Sequence, residues 1–363
     1  MMLSIVFRVL MISIFFHATV SMAFWKDPAE RGPYSIGRTT LIFVDEQRED
    51  RSLAVDVWYP IADTTAQVPS QYDLIFDSFA SEKAVDSTRI FPKEFPLIIF
   101  SHGNNSIRFQ SIFLSEHLAT HGFIVAAPDH AGNTLPDFLN PSPPAFTAED
   151  RPLDVSFVID QLLASNQDSN NIFFRRIQSK KIAVMGHSFG GFTALALAAN
   201  YKTNAIDERI SAILPLAPAR IDLTPEELAS IRVPTLILGA TSDVTTPVDS
   251  NANVIFEGLN HIPRWLINIQ EAGHNSFTNV CLFFDILEDE PIPEFIRDIL
   301  IDQASEACSA SLISLEQAQE ITAFYATAFF KVFLQKKLSY LSFLTGKVVE
   351  AKNLPVDYSF EWF

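Results

Sequence analysis

A serine hydroxyl is a weak nucleophile, and a protein that uses one must present it where a base can take its proton. Ser188 stands in Gly186-His187-Ser188-Phe189-Gly190-Gly191, directly after the apolar run Ile182-Ala183-Val184-Met185 and just before the helix-like stretch 192–199. Strand, tight turn and helix in that order form the elbow on which nucleophilic serines are exposed. Glycine is scarce, 12 in 363 residues, yet three of the twelve fall in these six positions, where side chains would collide with the adjoining strand and helix. The motif predicts Ser188 as the nucleophile of an acyl transfer.

On such an elbow the orienting acid and then the base follow the serine along the chain. His102, His117, His121 and His130 lie upstream and are set aside for that reason. Of the two downstream histidines, His261 precedes an apolar run. His274, in Glu271-Ala272-Gly273-His274-Asn275-Ser276-Phe277, follows one and is the expected base. Asp243 lies just past the apolar run 235–239, within reach of such a base, and is the expected acid, with Asp249 and Asp222 as rivals. The developing oxyanion needs backbone N–H donors. One is expected from Phe189, after the nucleophile. The other is expected from Asn104 in Ser101-His102-Gly103-Asn104-Asn105, where Gly103 lets the backbone come close.

These residues need a scaffold, and the chain supplies alternating β-rich and helical stretches. Strands are predicted at 40–44, 53–59, 97–101, 123–127, 181–186, 210–216, 235–239 and 265–269, the first two as an antiparallel lead-in. The others are continuous apolar runs such as Leu97-Ile98-Ile99-Phe100, as expected of strands covered by helices on both faces. Helices are predicted at 110–121, 152–165, 192–201 and 315–338. The last has a capping box at Ser314 and Gln317 and an apolar face through Ile321, Phe324, Ala328 and Val332. This pattern predicts the α/β class with a mostly parallel central sheet, and the Ser188 elbow within it the α/β-hydrolase fold, in one domain from residue 24 to 363. Two stretches interrupt it, a proline-rich loop at 139–145 and an insertion at 278–311. Loops after parallel strands surround the site in such folds, so both are expected to shape the pocket.

The composition, 48% hydrophobic and 19% charged, suits a large core, and the net charge of −17 argues against nucleic acid or anionic membrane as partner. Arg8, the apolar run 9–16 and Ser21-Met22-Ala23 have the order of a secretory signal peptide, residues 1–23, cleaved after Ala23. The run is shorter than the roughly 20 residues a bilayer requires, so no stable membrane anchor is expected after cleavage. The expected location is therefore exported, periplasmic or secreted. Only Cys281 and Cys308 are present, and a disulfide and two buried free thiols both stay open. No CxxC or HExxH occurs, so neither metal nor cofactor is expected.

Several segments together resemble the platelet-activating factor acetylhydrolase family and its bacterial dienelactone-hydrolase-like relatives. They are Phe100-Ser101-His102-Gly103, His121-Gly122-Phe123-Ile124-Val125-Ala126-Ala127, the Ser188 elbow and His274-Asn275-Ser276-Phe277. Leu53-Ala54-Val55-Asp56-Val57-Trp58-Tyr59-Pro60 and Arg151-Pro152-Leu153-Asp154-Val155 match as well, so the resemblance spans residues 35–277. It implies metal-free hydrolysis of small-molecule or lipid esters with short or modified acyl groups, with Ser188, Asp243 and His274 as triad and Asn104 and Phe189 at the oxyanion. Dienelactone hydrolases themselves use cysteine where this chain has Ser188. Two other readings stand beside it. One is a lipase or polyester hydrolase with an apolar lid around Leu282, Phe283, Phe284 and Ile286; the other is a non-catalytic binding protein of the same fold.

Overall fold

The apolar runs become strands of one sheet. The computed structural model describes residues 26–62, 68–86, 89–202, 206–261 and 263–362. In chain order its strands are β1 (Ser35–Asp45), β2 (Arg51–Ile61), β3 (Pro69–Asp73), β4 (Ser78–Asp86), β5 (Phe95–Ser101), β6 (Ile124–Pro128), β7 (Ile177–His187), β8 (Ile210–Leu216), β9 (Thr235–Ala240), β10 (Arg264–Ile269) and β11 (Val356–Glu361). They lie in the order β11-β10-β9-β8-β7-β5-β6-β2-β1-β4-β3. The six central strands β10 to β6 are parallel throughout. β1 and β2 form the expected antiparallel lead-in, and β2 runs antiparallel to β6. This is the mostly parallel sheet of the α/β-hydrolase fold.

Alternate residues of a strand face opposite sides of a sheet. Ile98 and Phe100 of β5 therefore enter one core with Val125, Met185, Leu214 and Trp265, while Leu97 and Ile99 enter the other with Ile124, Ile182 and Val184. The first core is closed by helices Ile112–Thr120 and Leu315–Phe333, the second by Asp150–Ser165, Phe189–Ala198 and Ala252–Gly258. Coverage on both faces is the reason the central strands read as unbroken apolar runs.

Three strands are additional to those expected. β3 and β4 are polar, and β11 returns from the C-terminal tail to pair antiparallel with β10, placing Phe360 opposite Trp265. The long helix also differs from expectation. Ser314 accepts from the Gln317 N–H at 3.3 Å, but the reciprocal half of the capping box is missing. Nor is one apolar face enough to describe it. From Ile321 to Val332 every residue is buried, because the tail with its 3-10 turn Leu338–Leu344 covers the side away from the sheet. The helix at the elbow begins at Phe189, three residues earlier than the periodicity suggests.

The insertion folds into helices Val280–Leu287 and Glu294–Cys308, and a disulfide joins Cys281 to Cys308. Phe283 enters the main core, Phe284 and Ile286 are half-buried, and Leu282 is exposed. The signal-peptide segment lies outside the described residues.

Five histidines are drawn inside to tie loops together, and burial lowers the pKa of each. His187 and His121 fall to about 3, His117 and His130 to about 4, and His102 well below the ordinary 6.5. The unfolded chain therefore binds more protons than the folded one between the folded values and 6.5, and stability is lost as pH falls through that window. Urea unfolding should show a free energy that drops from pH 7 towards pH 4.5, each histidine contributing at most about 1.4 kcal/mol per pH unit. A flat profile between pH 7 and 5 contradicts this. The disulfide closes a loop over a sequence separation of 27 residues. Replacing both cysteines with serine should lower the unfolding free energy at neutral pH by about 3 kcal/mol, read from the same titration.

Candidate active site

The elbow holds Ser188 in a backbone conformation that L-residues avoid, φ 56° and ψ −115°. Its N–H donates to the Leu216 carbonyl of β8 at 2.9 Å, and its carbonyl accepts from Phe192 and Ala219, both at 3.1 Å. The turn closes only because glycines flank it. A Cβ on Gly190 would lie 1.8 Å from the Ser101 carbonyl oxygen, and one on Gly186 would lie 2.4 Å from that of Gly190. Ser188 is nearly buried, and the surface it keeps faces a cavity of about 390 Å³.

His274 opens the 3-10 turn His274–Phe277 that follows β10, and it lines the same cavity. Its Nδ1 lies 2.8 Å from Asp243 Oδ2, in the turn after β9. Burial works against the Asp243 carboxylate, but hydrogen bonds from His274 and Thr246 outweigh it and hold its pKa below the usual carboxylate range. The Thr246 amide donates to Oδ1 at 2.6 Å and its hydroxyl reaches Oδ2 at 2.8 Å. In the sequence Thr246 carries no signal beyond a local turn pattern, Asp followed three residues later by Thr. The rival Asp249 is exposed and accepts from Asn253, and Asp222 is exposed in a separate turn. Of the three carboxylates, Asp243 is the one bonded to His274.

A hydrogen-bonded chain joins the loops that carry these groups. Gly103 N–H donates to Gln110 Oε1 at 2.7 Å, Gln110 Nε2 meets His187 Nδ1 at 2.7 Å, and His187 Nε2 meets the His274 carbonyl at 2.9 Å. Burial, with His274 alongside, lowers the His187 pKa to about 3, so the ring is neutral. A carbonyl can only accept, which puts the proton on Nε2 and makes Nδ1 the acceptor for Gln110. His187 thus has a positional role that its place in the motif did not disclose.

Asn104 lines the cavity beside Gly103. Phe189 is the first residue of its helix, where the N–H has no intrahelical partner, and no side chain caps it. A second Ser-His-Asp chain exists in which Ser101 Oγ meets His130 Nε2 and His130 Nδ1 meets Asp154, each at 2.9 Å. All three residues are fully buried, so no substrate reaches them.

The far wall of the cavity comes from the insertion, through Val280, Phe283, Ile299, Leu300, Asp302 and Gln303. The side expected to be bounded by the proline-rich loop is lined instead by Leu135 and Phe138, from the short helix Leu135–Leu139 that leads into that loop.

This arrangement can be compared with known proteins. Cutinase 2 of Thermobifida cellulosilytica is 28% identical over 200 residues, covering 54% of this chain and 68% of that protein. Cutinase est1 of Thermobifida alba is 29% identical over 175 residues, covering 47% of this chain and 51% of its own. The bis(hydroxyethyl) terephthalate hydrolase of Streptomyces coelicolor is 26% identical over 219 residues, covering 60% of this chain and 61% of its own. This chain thus spans between about half and two thirds of the length of these relatives. The PET hydrolase-like family model matches residues 92–283, which takes in Ser188, Asp243 and His274, and with more than half of its length so matched the chain belongs to that family.

Proposed function

We propose that the protein is a serine hydrolase of carboxylic esters, working through an acyl-enzyme. One observation carries this reading: His274, hydrogen-bonded to Asp243, opens on the same cavity as Ser188 at its strained turn. In the reaction His274 Nε2 takes the Ser188 proton as Oγ attacks the ester carbonyl. Asp243 accepts the Nδ1 proton's hydrogen bond and stabilises the imidazolium that forms. The oxyanion is met by the Asn104 and Phe189 N–H groups, whose fixed dipoles need no reorganisation as charge develops. Collapse expels the alcohol with the proton held by His274, and water repeats the sequence on the acyl group.

The substrate class is a small ester, with fragments of polyesters as the first candidates. The cavity walls are mainly apolar, with Ile107, Leu135, Phe138, Val280 and Phe283 around the nucleophile, and about 390 Å³ admits an aryl or short alkyl ester. The names of the related cutinases and of the terephthalate ester hydrolase support that direction. The resemblance to platelet-activating factor acetylhydrolases adds short or modified acyl groups on a phospholipid-like alcohol to the candidates. Export belongs to the same reading. The Cys281–Cys308 disulfide supports it, since such bonds persist in oxidising compartments. Among the described residues no helix is long and apolar enough to cross a membrane.

Ser188→Ala should abolish labelling by a fluorophosphonate and reduce p-nitrophenyl butyrate turnover by about 10⁴-fold or more, as expected when the nucleophile of such a triad is lost. The unaltered protein should hydrolyse acetyl to butyryl esters with higher kcat/KM than esters of about twelve carbons, because a cavity of this size must hold the alcohol group as well as the acyl chain. Bis(hydroxyethyl) terephthalate should also be cleaved. A maximum at the long end with activation at lipid interfaces would make it a lipase, and absence of both labelling and turnover would make it a binding protein.

A further inference from the structure

Arg151, on helix Asp150–Ser165, is fully buried, and burial lowers even its pKa, to about 9. A buried guanidinium is costly unless every donor is used and its charge is answered. All five N–H groups are used. Nη1 donates to the His102 carbonyl at 2.6 Å and to Ser101 Oγ at 3.3 Å. Nη2 donates to the Gly103 carbonyl at 2.9 Å and to Asn133 Oδ1 at 2.5 Å, and Nε donates to the same Asn133 oxygen at 3.1 Å. The guanidinium carbon lies over the Phe189 ring, 4.3 Å from its centroid. One side chain therefore touches both segments to which the oxyanion donors are assigned.

The contact with Gly103 has a directional consequence. In a trans peptide the C=O of one residue and the N–H of the next point in opposite directions within one plane. The Gly103 carbonyl is gripped by Arg151 Nη2 and also by His102 Nδ1, at 2.7 Å. His102 Nε2 accepts from the His130 N–H at 3.1 Å, which leaves the ring proton on Nδ1. With the carbonyl end of the plane fixed by two donors in the interior, the Asn104 N–H at the other end is directed away from them, on the side where Gly103 and Asn104 line the cavity. A hydrogen bond from a cation to the carbonyl also polarises the peptide and makes its N–H a stronger donor. Asn133 adds a third constraint. It accepts from Arg151 and donates through Nδ2 to the side-chain oxygens of Asn104 and Asn105, both at 2.9 Å.

We propose that Arg151 is a positioning residue for ester hydrolysis, orienting and polarising the Asn104 N–H through the Gly103 carbonyl while bracing Phe189 through its ring. The inference rests on the hydrolase reading above. It explains why a guanidinium is buried here: a planar fork reaches two successive carbonyls, an amide oxygen and a ring face at once, which an ammonium cannot do. The influence falls on the oxyanion, so it is felt in the transition state and not in ground-state binding.

The test uses the full chain with Arg151→Met, Arg151→Lys and Asn133→Ala. Competent sites are counted by fluorophosphonate titration so that misfolded protein does not enter kcat, and p-nitrophenyl butyrate is the substrate. Arg151→Met should lower kcat per titrated site by about 10- to 100-fold, less than the hundred- to thousand-fold cost of losing an oxyanion donor outright. KM should stay within about threefold, and the Ki of a trifluoromethyl ketone, which places an oxyanion in the same position, should rise by the same factor as kcat falls. Arg151→Lys, which keeps the charge and loses the fork, should recover part of the loss. Asn133→Ala, which keeps the guanidinium and removes two of its hydrogen bonds, should lower kcat per site by about 3- to 10-fold, and it carries the comparison if Arg151→Met does not fold. Unchanged kcat per site, or a fall in kcat with an unchanged ketone Ki, overturns the role of Arg151. If the unaltered protein takes no label at Ser188, the hydrolase reading itself fails, a result distinct from either.

Discussion

A serine held at φ 56° and ψ −115° sits outside the regions L-residues favour, at a cost on the order of 1–3 kcal/mol. The surroundings hold that conformation through three backbone hydrogen bonds at Ser188, to Leu216, Phe192 and Ala219, and through glycines at the closest approaches. Much else follows from the constraint. Gly190 lets the helix Phe189–Ala198 begin against the end of β5, so the first helical N–H and the loop after Ser101 lie side by side. Without that approach the two oxyanion donors proposed here would have no common target. Strain at the turn and packing of the parallel strands are thus two aspects of one arrangement.

Around the turn, polar order is kept by uncharged or fully paired groups. Burial prevents His102, His130 and His187 from carrying charge near neutral pH, so each acts as a fixed donor and acceptor with a defined tautomer. Asp154 stays ionised because His130 and Arg51 outweigh its burial, and its charge answers that of Arg151 nearby. The buried Ser101-His130-Asp154 chain has the residue types of a catalytic triad and serves as scaffolding. What separates it from the proposed triad is that Ser188 and His274 line the cavity.

The groups read from sequence and those missed differ in how local their signals are. Ser188 is announced by its immediate neighbours, and Asp243 and His274 by chain order and by their places after strands. Gln110 and Asn133 have no such signal, and Arg151 stands in a segment of the resemblance that says nothing of its partners: these are brought near by the fold, as Gln110 and His187 are from 77 positions apart. The strands divide in the same way. Central strands are apolar on both faces, whereas β3 and β4, with Ser70, Tyr72 and Ala84 turned inward among exposed polar residues, offer only weak alternation. β11 depends on a partner about ninety residues earlier for its place at the edge. The insertion is legible as a break in the pattern and its disulfide as one of two states left open for Cys281 and Cys308, while its two helices are not.

The division between reaction and substrate follows the chain in part, since Ile107, Leu135, Phe138, Val280 and Phe283 line the cavity from inside the matched span. The residues proposed for bond cleavage lie within the 92–283 span that matches the family model, fixed to the ends of β5, β7, β9 and β10. Ile299, Leu300, Asp302 and Gln303 lie beyond that span, on helix Glu294–Cys308, yet they form a wall of the cavity. The disulfide runs across the boundary, from Cys281 inside the match to Cys308 outside it, and Asn275, next to His274, donates to the backbone and side-chain oxygens of Gln303, both at 3.0 Å. The wall is thereby fixed relative to the proposed base. A change of residue at Ile299 or Leu300 alters the shape available to the acyl or alcohol group while leaving Ser188, Asp243 and His274 in register. Substrate preference can therefore vary on this helix independently of the chemistry, which is how one reaction comes to serve many esters on one fold.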